Sequence, residues 1–169
     1  NLIDWLIFTV GNHRGHSLFL LDPFGWTQVS MSSIRKINSL PGSEIIYTYM
    51  IDYIARFIEL RNDSQFNNFQ NILEADGYYL NANPGKIETF GEQCYLRDQS
   101  MLLFRERGNA KYVFTFSLIP RGNYRVLYYL MHMSSNLTAL EVVKESFWKE
   151  NTLDYEYCFE ALYDYVDYF

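Results

Sequence analysis

Cysteine is scarce in this chain, and its scarcity limits the chemistry that the protein can support. The 169 residues include two cysteines, Cys94 and Cys158. Two thiols cannot build a disulfide scaffold, and by themselves they cannot supply a four-ligand zinc site. Neither belongs to a Cys-x-x-Cys pair, so a thiol redox role is not expected. We interpret both as small apolar side chains within helical stripes.

Other absences exclude whole classes of protein. No apolar run approaches the roughly 18 residues of a membrane-spanning helix, and no secretion leader with a cleavage site opens the chain. Neither a Gly-x-Ser-x-Gly elbow nor a phosphate-binding Gly-x-x-x-x-Gly-Lys loop is present, which argues against hydrolases and nucleotide triphosphatases. We therefore expect a cytoplasmic protein that makes no membrane contact.

Acidic residues exceed basic ones, and the excess is concentrated at one end. The chain has 20 acidic residues and 14 lysines and arginines, and five of the acids lie in residues 152–169, which contain no lysine or arginine. We call this segment the acidic tail. It predicts either a C-terminal helix packed on its own domain or an aromatic handle for another protein. Its apolar residues recur at helical spacing: Tyr155, Phe159, Leu162, Val166 and Phe169.

Hydrophobic periodicity predicts an α/β protein. Residues 17–21 form an apolar run with the pattern of a strand covered on both faces, and a helix is expected from near Ser30 to Leu40. Residues 45–49 are a second apolar strand, and a further helix follows over residues 51–58. Strands that alternate with helices at this spacing are typical of a parallel sheet with crossover helices.

The later part of the chain has a different pattern. We interpret residues 62–87 as an insertion or loop and residues 88–107 as a long helix. Residues 111–118 and 124–133 predict an antiparallel hairpin with its turn at residues 120–123. A helix over residues 135–150 follows, and residues 134–136 can cap it. The predicted fold is thus a mixed, mostly parallel sheet with a C-terminal antiparallel hairpin.

The candidate site is a loop that follows the first predicted strand, because ligands of open parallel sheets bind beyond the carboxyl ends of the strands. Its sequence is Asp22-Pro23-Phe24-Gly25-Trp26. Asp22 would present a carboxylate acceptor, while Pro23 and Gly25 shape the backbone around it. Phe24 or Trp26 would offer a flat surface to a planar ring. An ordinary strand-to-helix turn remains the alternative interpretation.

Several segments, in this order, resemble the three-Cys-motif partner proteins. The strand that ends in Asp-Pro-Phe-Gly is similar to a strand of that family, and so is the strand that follows after a helix. Two later segments resemble the family's late hairpin, and one resembles the helix after it. The resemblance extends over most of residues 17–150, and its segments are Leu18–Trp26, Glu44–Met50, Lys111–Phe114, Tyr128–His132 and Leu140–Trp148.

The resemblance implies a Rossmann-like fold of the S-adenosylmethionine-dependent methyltransferase kind, and association with a radical-type protein that carries a three-cysteine iron–sulfur motif. In related amino-methyltransferases, an Asp-Pro-Pro-aromatic or Asn-Pro-Pro-aromatic loop accepts the hydrogens of the target amine and stacks on the base. By position, Asp22 matches the polar acceptor and Pro23 the first proline. Phe24 and Gly25 depart from the second proline and the aromatic residue, which weakens the case for a nucleic-acid amine as the acceptor.

The same resemblance implies that residues 1–151 are the C-terminal half of a methyltransferase-like domain, with residues 152–169 appended to it. Asp22 would follow the fourth strand of the family fold. The glycine-rich turn that such enzymes use for the cofactor is not found, because Gly11–Gly15 is polar and follows no apolar strand. We therefore expect that the complete fold begins before Asn1 and that this chain binds S-adenosylmethionine weakly by itself.

The alternative function is a non-catalytic protein- or nucleic-acid-binding module with the same fold. The formal net charge of -6 argues against a nucleic-acid binder held mainly by a basic surface. His13 and His16 lack further nearby metal ligands, and His132 is expected to be a hydrogen-bonded core or edge histidine. Basic and aromatic residues near the hairpin predict either a solvated face or a nucleic-acid groove: Arg97, Arg105, Arg107, Lys111, Arg121 and Arg125, with Tyr124, Tyr128 and Tyr129.

Overall fold

Helices and strands alternate along the first half of the chain, as its periodicity predicts. The computed structural model describes residues 2–12, 15–51, 55, 64–86, 89–118, 126 and 128–151. The helices bounded within them are α1 (Leu2–Gly11), α2 (Met31–Asn38), α3 (Ser64–Leu73), α4 (Phe90–Glu106) and α5 (Leu137–Asn151). The strands are β1 (Ser17–Leu21), β2 (Ser43–Tyr49), β3 (Tyr112–Leu118) and β4 (Tyr128–Ser134). The predicted α/β class is confirmed.

The four strands form one mixed sheet in the order β1-β2-β4-β3. β1 and β2 are parallel, with Leu21 opposite Tyr47, whereas β4 is antiparallel to both β2 and β3. Because β4 is antiparallel to both of its neighbours, β3 runs in the same direction as β1 and β2. The predicted hairpin of β3 and β4 is confirmed, but the prediction of a mostly parallel sheet is wrong. The reason is that β4, not β3, pairs with β2, and the hydrophobic pattern of a hairpin does not specify which strand does so.

β1 lies at the edge of the sheet, and one of its faces is open. Phe19 and Leu21 pack against the main core, but Leu18 is 61% exposed and Leu20 is 70% exposed. The prediction of a strand covered on both faces is therefore wrong. Because successive side chains of a strand point to opposite faces, an uninterrupted apolar run does not reveal whether a helix covers the second face.

The main core lies on one face of the sheet. On β2, Ile45, Tyr47 and Tyr49 are buried. Phe104 of α4 meets both tyrosine rings edge-on, with its centroid 5.6 Å from that of Tyr47 and 5.2 Å from that of Tyr49. Edge-to-face contacts of this kind add to the stabilisation from burial, so α4 is fixed against the centre of the sheet.

The helix predicted to begin near Ser30 is confirmed. α2 begins at Met31, and the Ser30 hydroxyl oxygen accepts a hydrogen bond of 3.3 Å from the Ser33 amide, which caps the helix. Ile34 and Ile37 are fully buried, as their spacing predicts. The cap determines where the chain turns from the candidate loop into the helix.

The segment interpreted as an insertion, residues 62–87, contributes to the core. It contains α3, whose Phe69 and Leu73 are fully buried. Of the helix predicted to follow β2, Ile51 and Ala55 are helical and buried, and residues 52–54 and 56–63 lie outside the described residues.

The opposite face of the sheet is covered over β3 by α5. The Phe147 ring lies 6.4 Å from that of Phe114 and 4.9 Å from that of Phe116, measured between centroids. The predicted cap is confirmed, because Asn136 Oδ1 accepts a 3.0 Å hydrogen bond from the amide of Thr138. A second small core thus joins α5 to the hairpin.

Two predicted features fall on segments that the structure does not describe. They are the hairpin turn near residues 120–123 and the acidic tail, so the helix expected in the tail stays a prediction. Across the described ranges, no helix combines the length and the apolar character that crossing a membrane would require.

Candidate functional site

The carboxyl ends of β1 and β2 meet at the same edge of the sheet, because these strands are parallel. We call it the carboxyl edge, and β3 also ends there. Asp22 follows β1 directly. Leu21, the last residue of β1, pairs with Tyr47, and β2 continues for two more residues to Tyr49. Ligands of open α/β sheets bind at such an edge, so the loop after β1 is placed where the sequence predicts it.

The loop of residues 22–26 holds its backbone while exposing two side chains. Asp22 is exposed, Pro23 is buried, and Phe24 is 97% exposed. The Phe24 amide donates a 3.1 Å hydrogen bond to Gln28 Oε1. The buried proline and this hydrogen bond hold the backbone on the amino side of the aromatic residue.

Gly25 contributes through its backbone conformation. Its φ of 152° lies in the region that favours glycine, although a Cβ built there would meet no atom within 4 Å. The turn therefore requires glycine for conformational and not for steric reasons. The Trp26 backbone begins a short 3-10 helix, Trp26–Gln28. The side chain of Trp26, predicted to pack on a substrate, lies outside the described residues.

Among the described side chains of this loop, Asp22 and Phe24 are the ones placed to bind a ligand. An ionised carboxylate accepts hydrogen bonds from an amine, and an exposed aromatic ring provides a stacking surface. Their exposure means that the described part of the chain does not enclose them. The sequence also leads us to expect that the end of β1 opens into a pocket faced by the Asp22 carboxylate, and this stays a prediction.

A buried chain of hydroxyl groups lies under the carboxyl edge, and sequence reasoning missed it. The Ser100 hydroxyl donates to the Leu96 carbonyl, so its oxygen accepts from Tyr79 OH at 2.9 Å, and Tyr79 in turn accepts from Tyr49 OH at 2.9 Å. Burial raises the pKa of Tyr79 to about 12 and that of Tyr49 well above its usual range. These hydroxyls therefore stay protonated and brace the end of β2. No spacing signal pairs residues so far apart in sequence.

A cavity of about 610 Å³ lies at the opposite corner of the sheet. It is bordered by the end of α4, the beginning of β3 and the first turns of α5, and we call it the β3 groove. β3 begins beside the amino ends of β1 and β2, because Tyr112 is aligned through Ser134 with Glu44. The groove is thus separate from Asp22. Its apolar lining includes Met101, Val113, Phe114 and Leu140.

Three cationic side chains border the β3 groove: Arg105, Lys111 and Lys144. The Lys144 ammonium lies 5.1 Å from the centroid of the Phe114 ring, and the Lys111 ammonium lies 5.1 Å from that of Tyr112. Two glutamates of α5 also contribute to the lining. The groove therefore combines apolar walls with positive charge at its rim.

The basic surface predicted near the hairpin is only partly formed. Arg97 is 7% exposed and forms a 3.0 Å ion pair with Asp98, and Tyr129 is fully buried, where its hydroxyl donates to the Gln93 carbonyl at 3.2 Å. The prediction that these two residues line a surface is wrong, because the faces of α4 and β4 that carry them point into the core. Arg121, Tyr124 and Arg125 lie outside the described residues.

His132 occupies the core position predicted for it. It is fully buried, and its Nε2 lies 2.8 Å from Glu44 Oε2. Because a carboxylate only accepts, Nε2 carries the hydrogen and donates it. Within the described ranges, the Nδ1 atom has no hydrogen-bond partner. Burial lowers the pKa of His132, although the Glu44 carboxylate opposes that shift.

The described residues include no group of three or more histidine, cysteine or acidic side chains that could hold a metal ion. His16 is exposed beside Gly42, and Cys94 is half-buried. His13 and Cys158 lie outside the described residues.

Comparison with protein-family models, curated proteins and solved structures gives no significant match for this chain.

Proposed function

We propose that this chain is the acceptor-binding part of a methyltransferase-like protein of the three-Cys-motif partner type. The observation that carries the proposal is the loop of residues 22–26, which presents the Asp22 carboxylate and the Phe24 ring to solvent at the carboxyl edge of a parallel strand pair. An aromatic ring that is 97% exposed adds nothing to the core. Its anchored backbone is better explained by a role in binding.

The arrangement of the sheet supports a Rossmann-like fold. β1, β2 and β3 share one direction, and helices pack on both faces of the sheet. A ligand at the carboxyl edge then lies beside three strand ends, which is the usual position in open α/β folds. The resemblance implies the same fold class and the same edge.

Each loop residue has a part in the proposed site. Asp22 accepts hydrogen bonds from the acceptor amine and orients it, while Phe24 stacks on the planar group that carries the amine. Pro23 and Gly25 hold the loop in its turn, and Trp26 adds a second ring. A methyl-accepting amine on a nucleic-acid base fits this combination of groups.

The cofactor does not fit the described residues. Gly11 ends α1 and Gly15 precedes β1, so neither lies in a turn that leads from a strand into a helix, which is where such folds hold a nucleotide-like ligand. S-adenosylmethionine would supply the methyl group. We propose that it is held by strands which continue the sheet beside β1, an edge strand that contains no charged residue.

Two partners complete the proposal. The resemblance implies a radical-type protein with a three-cysteine iron–sulfur motif, and the exposed ring of Phe24 supports a single-stranded nucleic acid as the substrate class.

The test is binding of a fluorescent single-stranded oligonucleotide to the full chain, followed by anisotropy. Asp22→Ala and Phe24→Ala should each weaken binding about tenfold. The first removes the carboxylate that accepts the hydrogens of the amine, and the second removes a ring on which stacking contributes about 1–3 kcal/mol per base. Both variants should unfold at the same urea concentration as the parent chain, since both side chains are exposed.

Matched control variants are available on the described surface. Asp76→Asn removes an exposed acid, and Leu80→Ala truncates a side chain that is 65% exposed. Neither should change the affinity. Equal affinity in the loop variants and the parent chain would remove the assignment of residues 22–26 as the acceptor site.

The second candidate function is a non-catalytic binding module. Five of the ten exposed large hydrophobic side chains in the described residues lie between Trp5 and Phe24, on α1, β1 and the loop. This concentration in one stretch of the chain favours contact with another polypeptide through α1, β1 or the loop. The two functions differ in what Asp22 does, because a module keeps its affinity for partners after Asp22→Ala.

A further inference from the structure

We propose that the acidic tail of this chain docks into the β3 groove. This inference does not depend on the proposed function. It joins two features that the candidate site leaves unused, namely the cavity of about 610 Å³ beside β3 and the concentration of acid in residues 152–169.

Charge complementarity selects the tail as the occupant. The groove is bordered by Arg105, Lys111 and Lys144, and neither Arg105 nor Lys111 forms an ion pair with any described residue. Glu141 and Glu145 also line the groove, so the surplus positive charge is at its α4 and β3 side. The tail brings five carboxylates and no lysine or arginine.

Apolar complementarity supports the same occupant. The groove walls include Met101, Val113 and Leu140, and its Lys111 and Lys144 ammonium groups lie above aromatic rings. The tail alternates its acids with apolar residues, most of them aromatic. Aromatic and acidic side chains on one segment match apolar walls with a cationic rim.

The tail is long enough to reach the groove from where the described chain ends. α5 lines the groove at Lys144 and ends at Asn151, so the two positions are separated by about 10 Å along the helix axis. The tail that follows has 18 residues, which span about 27 Å as a helix and about 60 Å when extended. Either length allows the tail to turn back along α5.

Chymotrypsin cleavage of the full native chain tests this proposal, because the tail is rich in tyrosine and phenylalanine. In the parent chain the tail should be protected, and in Arg105→Glu/Lys111→Glu it should be cut about fivefold faster, as expected for loss of two charge contacts near the surface. Both residues are exposed, so the double variant should stay folded. Circular dichroism checks that it does.

A second variant changes the tail instead of the groove. Replacing its acids, as Asp154→Asn, Glu156→Gln, Glu160→Gln, Asp164→Asn and Asp167→Asn, should speed cleavage by a similar factor. Lys86→Glu, a charge reversal at an exposed position outside the groove lining, is the matched control and should leave cleavage unchanged. Equal cleavage rates in the parent chain and in both variants would overturn the proposal. Protection that rises with protein concentration would also overturn it, because it would assign the groove to the tail of a second copy.

Discussion

Phe24 and His132 are opposite cases of how residue type and burial combine. Phe24 is an aromatic residue with almost its whole surface in water, whereas His132 is a polar residue with none. Removing the Phe24 side chain should change the free energy of unfolding little, whereas removing the His132 side chain should lower it. The sequence predicts the role of His132 from its place in an apolar strand, and it predicts the loop of Phe24 from turn-forming residues that follow a strand.

His132 leads to a prediction about pH. Because burial lowers its pKa in the folded chain, the unfolded chain binds more protons as the pH falls through the ordinary value of about 6.5. The free energy of unfolding should therefore decrease on acidification from about pH 7.5 to about pH 5.5. Urea unfolding at both pH values measures this decrease.

The control variants are compared by how steeply the free energy of unfolding changes with pH, and not by its value at one pH. His132→Asn should lose most of the slope, even though the variant is less stable at every pH, while His16→Asn at an exposed position should keep it. An unchanged slope in His132→Asn would show that other groups cause the pH dependence. The carboxylates that pair with Arg35 and Lys36 have lowered pKa values, so their effect lies at lower pH.

Among the elements, α5 and the hairpin illustrate what a hydrophobic pattern can predict. The alternation in residues 111–118 predicts both β3 and the face that carries Phe114 and Phe116. The cap at Asn136 predicts the start of α5 within two residues. Neither pattern contains information on which hairpin strand joins β2, since that choice depends on how the hairpin packs as a unit.

Phe147 is predicted to fix α5 to the sheet. Phe147→Ala should lower the free energy of unfolding by about 2 kcal/mol, because a partly buried ring in contact with Phe114 and Phe116 is replaced by a void. Val142→Ala on the same helix, where the side chain is 57% exposed, should cost less than about 0.5 kcal/mol. Urea unfolding monitored by circular dichroism gives both values, and equal effects would contradict the proposed anchor.

β1 shows where prediction from the pattern reaches its limit. Its five residues are nearly all apolar, which is the composition of a central strand, yet it is an edge strand with Leu18 and Leu20 in solvent. Natural edge strands usually carry charges or bulges that discourage further pairing. The exposed leucines therefore agree with a sheet that continues beyond β1 in the proposed enzyme.

For the molecule as a whole, the features that depend on residues close in sequence can be predicted, whereas those that depend on long-range contacts cannot. The α/β class, the two halves of the hairpin and the position of the candidate loop follow from residues close in sequence. The strand order, the Tyr49–Tyr79–Ser100 chain and the β3 groove join residues that are far apart, so no local pattern contains them. The burial of Arg97 and Tyr129 belongs to the same group, because it depends on how α4 lies on the sheet.

The carboxyl edge and the β3 groove give the molecule two separate sites of opposite character. The first presents an acid and an aromatic ring, and the second presents three cations around apolar walls. In the proposed function an amine on a planar ring binds at the first, and in the proposed docking the acidic tail binds at the second. Because the two sites lie at opposite corners of the sheet, a ligand can be assigned to one of them by the residues that it perturbs.

Nuclear magnetic resonance of the 15N-labelled full chain, titrated with a short single-stranded oligonucleotide, tests the central claim most directly. If the loop after β1 binds the acceptor, the largest changes in backbone amide shift will occur at Asp22, Gly25 and Phe24. The amide of Phe24 is the one that donates a hydrogen bond to Gln28. Changes confined to residues of the β3 groove, with the loop signals unmoved, would contradict the account.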